Sequence, residues 1–171
     1  MRKIKVFLGG YINYTNAQNL NCLAISLHLD KEKFEILTLT TDLGEKKDLD
    51  AEIKTLNCFW PFSLSRIICF IWGILNCDIA YLPKKIDTPI WILKLAKMLG
   101  KPIFTTLEGN VLDISQEHCL LKLFGSEQKM RRHFSYFNKT YPITKHLSEL
   151  YTEKQIYNVN SEFSLISENV K

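Results

Sequence analysis

The chain opens with a short run of β-branched, aliphatic and aromatic residues, Lys3–Leu8, cut off by Gly9-Gly10, which predicts a first strand. Gly9–Asn16 is polar and reads as a loop. Thr15 and Gln18 stand at capping-box spacing. Leu20, Leu23, Ala24 and Leu27 then repeat at helical intervals, predicting a helix over Ala17–Leu29 with those four on its buried face. Phe34–Thr40 is nearly continuous in apolar and β-branched residues and reads as a second strand. A charged loop, Asp42–Asp50, leads to a third strand at Ile53–Phe59. From Pro61 and Ser63 to Asn76 the chain is apolar almost all round, as in a helix buried on more than one side.

Asp78–Leu82 is a short strand closed by Pro83. Asp87-Thr88-Pro89 then carries a cap residue and a first-turn proline, and Ile92, Leu95, Ala96 and Leu99 share a face up to a terminating Gly100. Pro102–Leu107 is another strand. Asp113–Asn138 reads as two helical pieces broken near Gly125. Thr140–Ile143 is a strand, Thr144 caps a helix with Leu147, Leu150 and Tyr151 on one face, and Gln155–Val159 is a last strand. This alternation predicts an α/β fold: a Rossmann-like, doubly wound, mainly parallel sheet with helices on both faces. The strands lack polar alternation, as strands covered on both sides should.

Composition agrees. Of 171 residues, 46% are hydrophobic and 23% charged, enough apolar surface to exclude a disordered chain. The longest apolar run, Ile67–Leu75, falls well short of the ~20 residues of a membrane span. The N-terminus reads as a strand and not as a secretion signal. A net charge of +4 and a pI near 8.7 are too mild for a dedicated nucleic-acid binder, so none is expected as a partner. Lys129, Arg131, Arg132 and His133 form the densest basic cluster. Five cysteines, without a C-x-x-C pair, read as mostly buried thiols of a reducing compartment, hence a cytoplasmic protein. The four dispersed histidines give no metal spacing, so no metal site is expected.

In an open α/β sheet, ligands bind beyond the carboxyl ends of the strands, at the switch point of strand order. That rule selects Gly9, Gly10, Tyr14 and Asn16 after the first strand. It also selects Lys84 and Lys85 after Pro83, Glu108, Gly109 and Asn110 after Leu107, and Thr144 after Ile143. The dinucleotide loop G-x-G-x-x-G, the P-loop and the G-x-S-x-G elbow are all missing from the chain. A diglycine entering a capped helix lets backbone amides approach an anionic ligand; its other reading is a turn that lets the helix pack.

Four pieces in this order resemble the N-terminal half of a GT-B glycosyltransferase of the family 4 type. They are Lys3–Gly10 with its following leucine-bearing helix, the strand Phe34–Thr40, the stretch Leu95-Ala96-Lys97-Met98-Leu99-Gly100-Lys101-Pro102-Ile103-Phe104-Thr105-Thr106-Leu107-Glu108-Gly109, and Ile143-Thr144-Lys145-His146-Leu147. The resemblance covers roughly residues 1–160, taken as one domain, with 161–171 a polar tail or the start of a linker. It implies a sugar-nucleotide-dependent hexosyl transfer in cell-envelope polysaccharide or glycolipid synthesis. The nucleotide sugar is a substrate and no cofactor is implied. The acceptor is a glycan or a lipid-linked sugar, with peripheral contact at the inner membrane face.

By the same resemblance, Gly9, Gly10, Tyr14, Asn16, Gly109, Asn110 and Thr144 would contact donor or acceptor. Glu108 stands where many members carry a histidine, and would orient or deprotonate the acceptor hydroxyl. The donor-binding half, with its two glutamates eight positions apart, has no counterpart here. The chain is therefore expected to be inactive without a C-terminal donor-binding domain or subunit. The competing expectation is a non-catalytic α/β module that recruits a partner through Pro61–Asn76. On the transferase reading, Gly10→Trp should weaken ligand binding without unfolding the sheet.

Overall fold

The computed structural model describes residues 2–45, 51–83, 88–107 and 120–153. Six strands, β1 (Ile4–Tyr11), β2 (Phe34–Thr41), β3 (Lys54–Cys58), β4 (Ile79–Tyr81), β5 (Ile103–Leu107) and β6 (Lys139–Pro142), form one sheet in the order β3-β2-β1-β4-β5-β6. Every pairing is parallel. Because β1 pairs with β2 on one side and β4 on the other, the switch point lies between β1 and β4, the Rossmann-like arrangement the alternation of elements implies. The expected strand at Gln155–Val159 and the polar tail lie outside the described residues, as does the chain from 108 to 119.

The helices are α1 (Ala17–His28), α2 (Phe62–Asn76), α3 (Ile90–Met98), α4 (Leu120–Phe124), α5 (Glu127–Phe134) and α6 (Lys145–Glu153). They cover both faces of the sheet. On one face Phe7, Leu37, Leu39 and Leu107 pack against α2, α3, α5 and α6 through Phe70, Ile74, Ile92, Leu93, Met130, Phe134 and Leu147. On the other, Val6, Leu8, Ile12, Ile36 and Tyr81 close around Cys22 of α1. The break between α4 and α5 falls at Gly125, whose φ of +70° suits a residue without Cβ, and Ser126 then caps α5 by accepting from Lys129 N at 3.3 Å.

Three expectations about helix faces and caps need correction. The N-cap of α1 is Asn16 and not Thr15: the Asn16 side chain accepts from Asn19 N at 2.8 Å. The buried face of α1 is Asn19, Cys22 and Ser26, while Leu20 and Leu27 are about half exposed. Small side chains bring α1 close to the sheet, where leucines would hold it off, and Ser26 satisfies its hydroxyl on Leu23 O at 2.7 Å. The third correction concerns α2. It packs on the sheet through Cys69, Phe70, Gly73 and Ile74 and lies beside α3, but a stripe of Leu64, Ile68 and Leu75 stays more than half exposed. No helix among the described residues is long and apolar enough to cross a membrane.

Candidate functional site

The parallel register fixes where the strand ends lie. Thr55, Thr38, Leu8, Tyr81, Phe104 and Lys139 form one row across the sheet. Three residues beyond that row stand Cys58, Thr41, Leu107 and Pro142, at nearly one level, while β1 ends lower, with Tyr11 opposite Leu39, one residue past the row. At ~4.8 Å between neighbouring strands, the ends of β1 and β5 are roughly 10 Å apart. The loop after β1, the end of β5 and the β6–α6 turn thus share one edge of the molecule.

Gly9 and Gly10 do not begin a loop; they lie inside β1 as a bulge. The register passes from Leu8 opposite Thr38 to Tyr11 opposite Leu39, leaving the diglycine unmatched. The Thr38 hydroxyl bridges the bulge, lying 3.3 Å from both Leu8 O and Gly10 O. Both glycines are buried, and each closes on a different layer. A Cβ on Gly9 would stand 2.8 Å from Leu82 Cδ2 and 3.0 Å from Phe70 Cε1; one on Gly10 would stand 2.7 Å from Cys22 Sγ and 3.1 Å from Asn19 Oδ1. Packing alone therefore demands both glycines. A tryptophan at position 10 would drive α1 off the sheet, which removes Gly10→Trp as a clean probe of binding.

Beyond the bulge, Asn13 clasps the start of the β1–α1 connection to the end of β2. Its Nδ2 donates to Thr41 O at 2.8 Å and its Oδ1 accepts from Thr41 N at 2.9 Å, while its own carbonyl accepts from Glu45 N at 2.8 Å. Gly44 lies so close over this clasp that a Cβ there would collide with Asn13. Tyr14 and Thr15 are exposed at the crest. Asn16 serves as the cap just described, and α1 presents its N-terminus to this edge, an environment that favours negative charge. Beneath that terminus Asn19 is buried; its Oδ1 accepts from Tyr11 N at 2.9 Å, and its Nδ2 is left without a hydrogen-bond partner. A buried orphan donor of this kind costs stability unless something fills it.

At the far side of the crest, Thr144 Oγ1 accepts from Leu147 N at 3.2 Å, capping α6 as its position suggests. Lys145 and His146, the next two residues, are exposed. Glu108, Gly109 and Asn110 lie outside the described residues, as do Lys84 and Lys85; the strand that leads to the first three ends at Leu107 on the same crest. The basic cluster of α5 does not form one face. His133 is buried against the rings of Phe124, at 4.9 Å, and Phe137, at 5.9 Å, and Arg131 is paired with Glu127 at 2.6 Å.

Two shallow hollows lie at the opposite edge. One, of about 280 Å³, is bounded by Lys3, Lys31, Glu35 and Lys54; the other, of about 320 Å³, by Lys97, Lys101, Tyr136 and Asn138. Both sit at the amino ends of strands, where the switch-point rule places no ligand, so the crest remains the stronger candidate.

One group at the crest has no sequence signature. Tyr11, Cys58, Ser65 and Cys69 come from β1, β3 and the first two turns of α2, and their polar atoms converge. The period-two alternation Phe7, Gly9, Tyr11 places the tyrosine on the α2 face, but nothing in the spacing of the cysteines brings them together.

No family model matches this chain, and no curated protein matches it.

Proposed function

We propose that this chain is the acceptor-side, N-terminal Rossmann-like half of a GT-B type glycosyltransferase that uses a nucleotide sugar. The observation that supports it best is the carboxyl edge of an all-parallel sheet, with the connection after β1, the end of β5 and the β6–α6 turn on one edge and the switch point between β1 and β4. In this reading a second, donor-binding half closes over the crest. An acceptor hydroxyl held there attacks the anomeric carbon as the nucleoside diphosphate departs. Glu108, on the loop after β5, takes the hydroxyl proton. Tyr14 offers an exposed ring to a sugar, and the N-terminus of α1, with the Asn19 amide beneath it, faces the negative charge of donor or acceptor. Thr144 lines the far end of the groove. Gly9 and Gly10 act through shape: the bulge they form lowers the crest beneath the ligand.

The test joins this chain to a donor-binding half encoded beside it and measures nucleoside diphosphate release with common sugar nucleotides. Turnover is expected only in the joined protein. Glu108→Gln should lower it by about 100-fold or more while leaving the fold unchanged. A folded joined protein that turns over none of these donors would overturn the reading. A non-catalytic interaction module is the second reading, and it draws on the exposed apolar stripe of α2 beside Phe59 and Trp60. A neighbouring open reading frame with no Rossmann-like half would favour it.

A further inference from the structure

The thiols of Cys58 and Cys69 meet under the crest. Cys58 ends β3, Cys69 lies in the second turn of α2, and their sulfurs are 3.2 Å apart in a site with 0% and 1% exposure. A covalent S–S bond is about 2.0 Å long, so closure needs a movement of roughly 1.2 Å. The other two described cysteines, Cys22 and Cys77, are also buried. The surroundings of the pair are unequal. Cys58 is pulled down to about 6 by its hydrogen bond with Cys69, against the penalty of burial, with help from the hydroxyls of Tyr11 and Ser65 and the charge of Arg66. Cys69 is pushed up by its hydrogen bond with Cys58 and by burial. Its S–H also faces Asn57 O at 3.7 Å. Two thiols of unequal acidity are thus held together, Cys58 the more acidic. Cys77, by contrast, is simply raised to about 11 by burial.

We propose that Cys58 and Cys69 form a reversible dithiol–disulfide site oxidised by a small hydroperoxide, with Cys58 the attacking sulfur and Cys69 the resolving one. In the first step the Cys58 thiolate attacks the peroxide oxygen. An S–O bond forms, the O–O bond breaks, and the departing alkoxide or hydroxide takes a proton from water or the Tyr11 hydroxyl. The product is a sulfenic acid on Cys58. In the second step the Cys69 sulfur attacks the Cys58 sulfur: the S–S bond forms, the S–O bond breaks, and hydroxide leaves with the Cys69 proton as water. The two thiols lose two electrons to the hydroperoxide, giving a disulfide, an alcohol or water, and a second water. A dithiol reductant reverses the change by exchange.

The size of the oxidant follows from burial. Cys58 immediately precedes the exposed Phe59–Trp60 turn, and with both sulfurs buried only an oxidant as small as a peroxide is expected to reach the pair, not a bulky disulfide such as oxidised glutathione. The new bond would pin the end of β3 to α2 and take from Tyr11 the thiolate its hydroxyl faces. This site stands independently of the transferase reading.

The experiment treats the intact, folded chain with stoichiometric hydrogen peroxide, then blocks remaining thiols and maps peptides by mass. The expected product is a Cys58–Cys69 linked peptide, with Cys22 and Cys77 alkylated only after unfolding, and full reversal by dithiothreitol. Cys69→Ser should instead accumulate a sulfenic acid on Cys58, captured by dimedone; Cys58→Ser should give neither product. Oxidised glutathione should act at least tenfold more slowly than peroxide. A wild-type chain that stays folded, by circular dichroism, yet yields no Cys58–Cys69 link overturns the proposal without recourse to any variant. So does a dimedone adduct on another cysteine in Cys69→Ser.

Discussion

The two faces of β1 solve the same problem in opposite ways. On the α2 face, β1 offers a large residue and the helix a small one: Gly73 lies on the Phe7 ring, so near that a Cβ would collide with it. On the α1 face, β1 offers Gly10 and the helix keeps the bulk, as Cys22 and Asn19. Each contact needs one glycine, but on opposite partners. The bulge is where both demands meet, since Gly9 belongs to the α2 face and Gly10 to the α1 face. A diglycine before a helix is thus explained by layer packing, and a ligand at the crest would use a shape the fold already requires.

The comparison breaks most sharply at Gly73. Gly73→Ala forces a methyl group into a buried aromatic ring that also stacks edge-on with Phe70 and Trp72, at 6.0 and 6.5 Å. Overpacking of this kind costs about 3 kcal/mol; a urea midpoint within error of wild type would show that α2 can slide. Gly10→Ala should cost about 2 kcal/mol, because the atoms it meets, Cys22 Sγ and Asn19 Oδ1, sit close to the α1 backbone and one of them holds Tyr11 N. Adding Cys22→Ala removes the sulfur and should restore about half of that loss, a coupling read from a double-mutant cycle. Gly9→Ala should be milder, about 1 kcal/mol, since Leu82 Cδ2 is the far end of a rotatable side chain.

What was legible in the sequence follows from the same geometry. Parallel pairing follows from near-continuous apolar strands alternating with helices, and these signals do not depend on which face a helix buries. The face of α1 was not legible. Leu20, Leu23, Ala24 and Leu27 make the more apolar stripe, yet closeness to the bulge selects Asn19, Cys22 and Ser26, and no periodicity reports distance. The end of β1 misled for a related reason: glycines signal a turn locally, whereas a bulge depends on Thr38, a residue of another strand. The positions of Tyr14, Asn16 and Thr144 on one edge were legible because the switch-point rule needs only topology, whereas Gly9 and Gly10 lie inside β1. The meeting of Cys58 with Cys69 was not, since it requires the register of β3 against α2.

The thiols of the α2 face add a pH dependence to the comparison. Cys58 is held at about 6 in the folded chain, below the ordinary 9.0 of a thiol. A depressed value means that the folded state prefers the thiolate. Its contribution is full above pH 9, shrinks as the pH falls from 9 to 6, and vanishes below 6. Cys69 shifts the other way and opposes folding where an unfolded Cys69 would ionise, above pH 9. The stability gap between wild type and Cys58→Ser should therefore widen from pH 6 to pH 9 and then level off or close. Melting curves at several pH values check this, and a gap independent of pH would mean that Cys58 carries no buried charge.

The smallest effect separates two neighbouring residues on the α1 side. Thr15 and Asn16 both read as caps, but only the Asn16 side chain reaches an amide of the first turn, while Thr15 is exposed. Asn16→Ala should cost about 1 kcal/mol, the ordinary worth of an N-cap, and Thr15→Ala only a few tenths. Because Asn19 Oδ1 holds the backbone of Tyr11, loosening the first turn of α1 should also be felt at the bulge. Hydrogen exchange at Tyr11 N should therefore quicken in Asn16→Ala and stay unchanged in Thr15→Ala. Equal exchange in the two variants would mean that the α1 terminus and the end of β1 are held independently, and that the cap serves the helix alone.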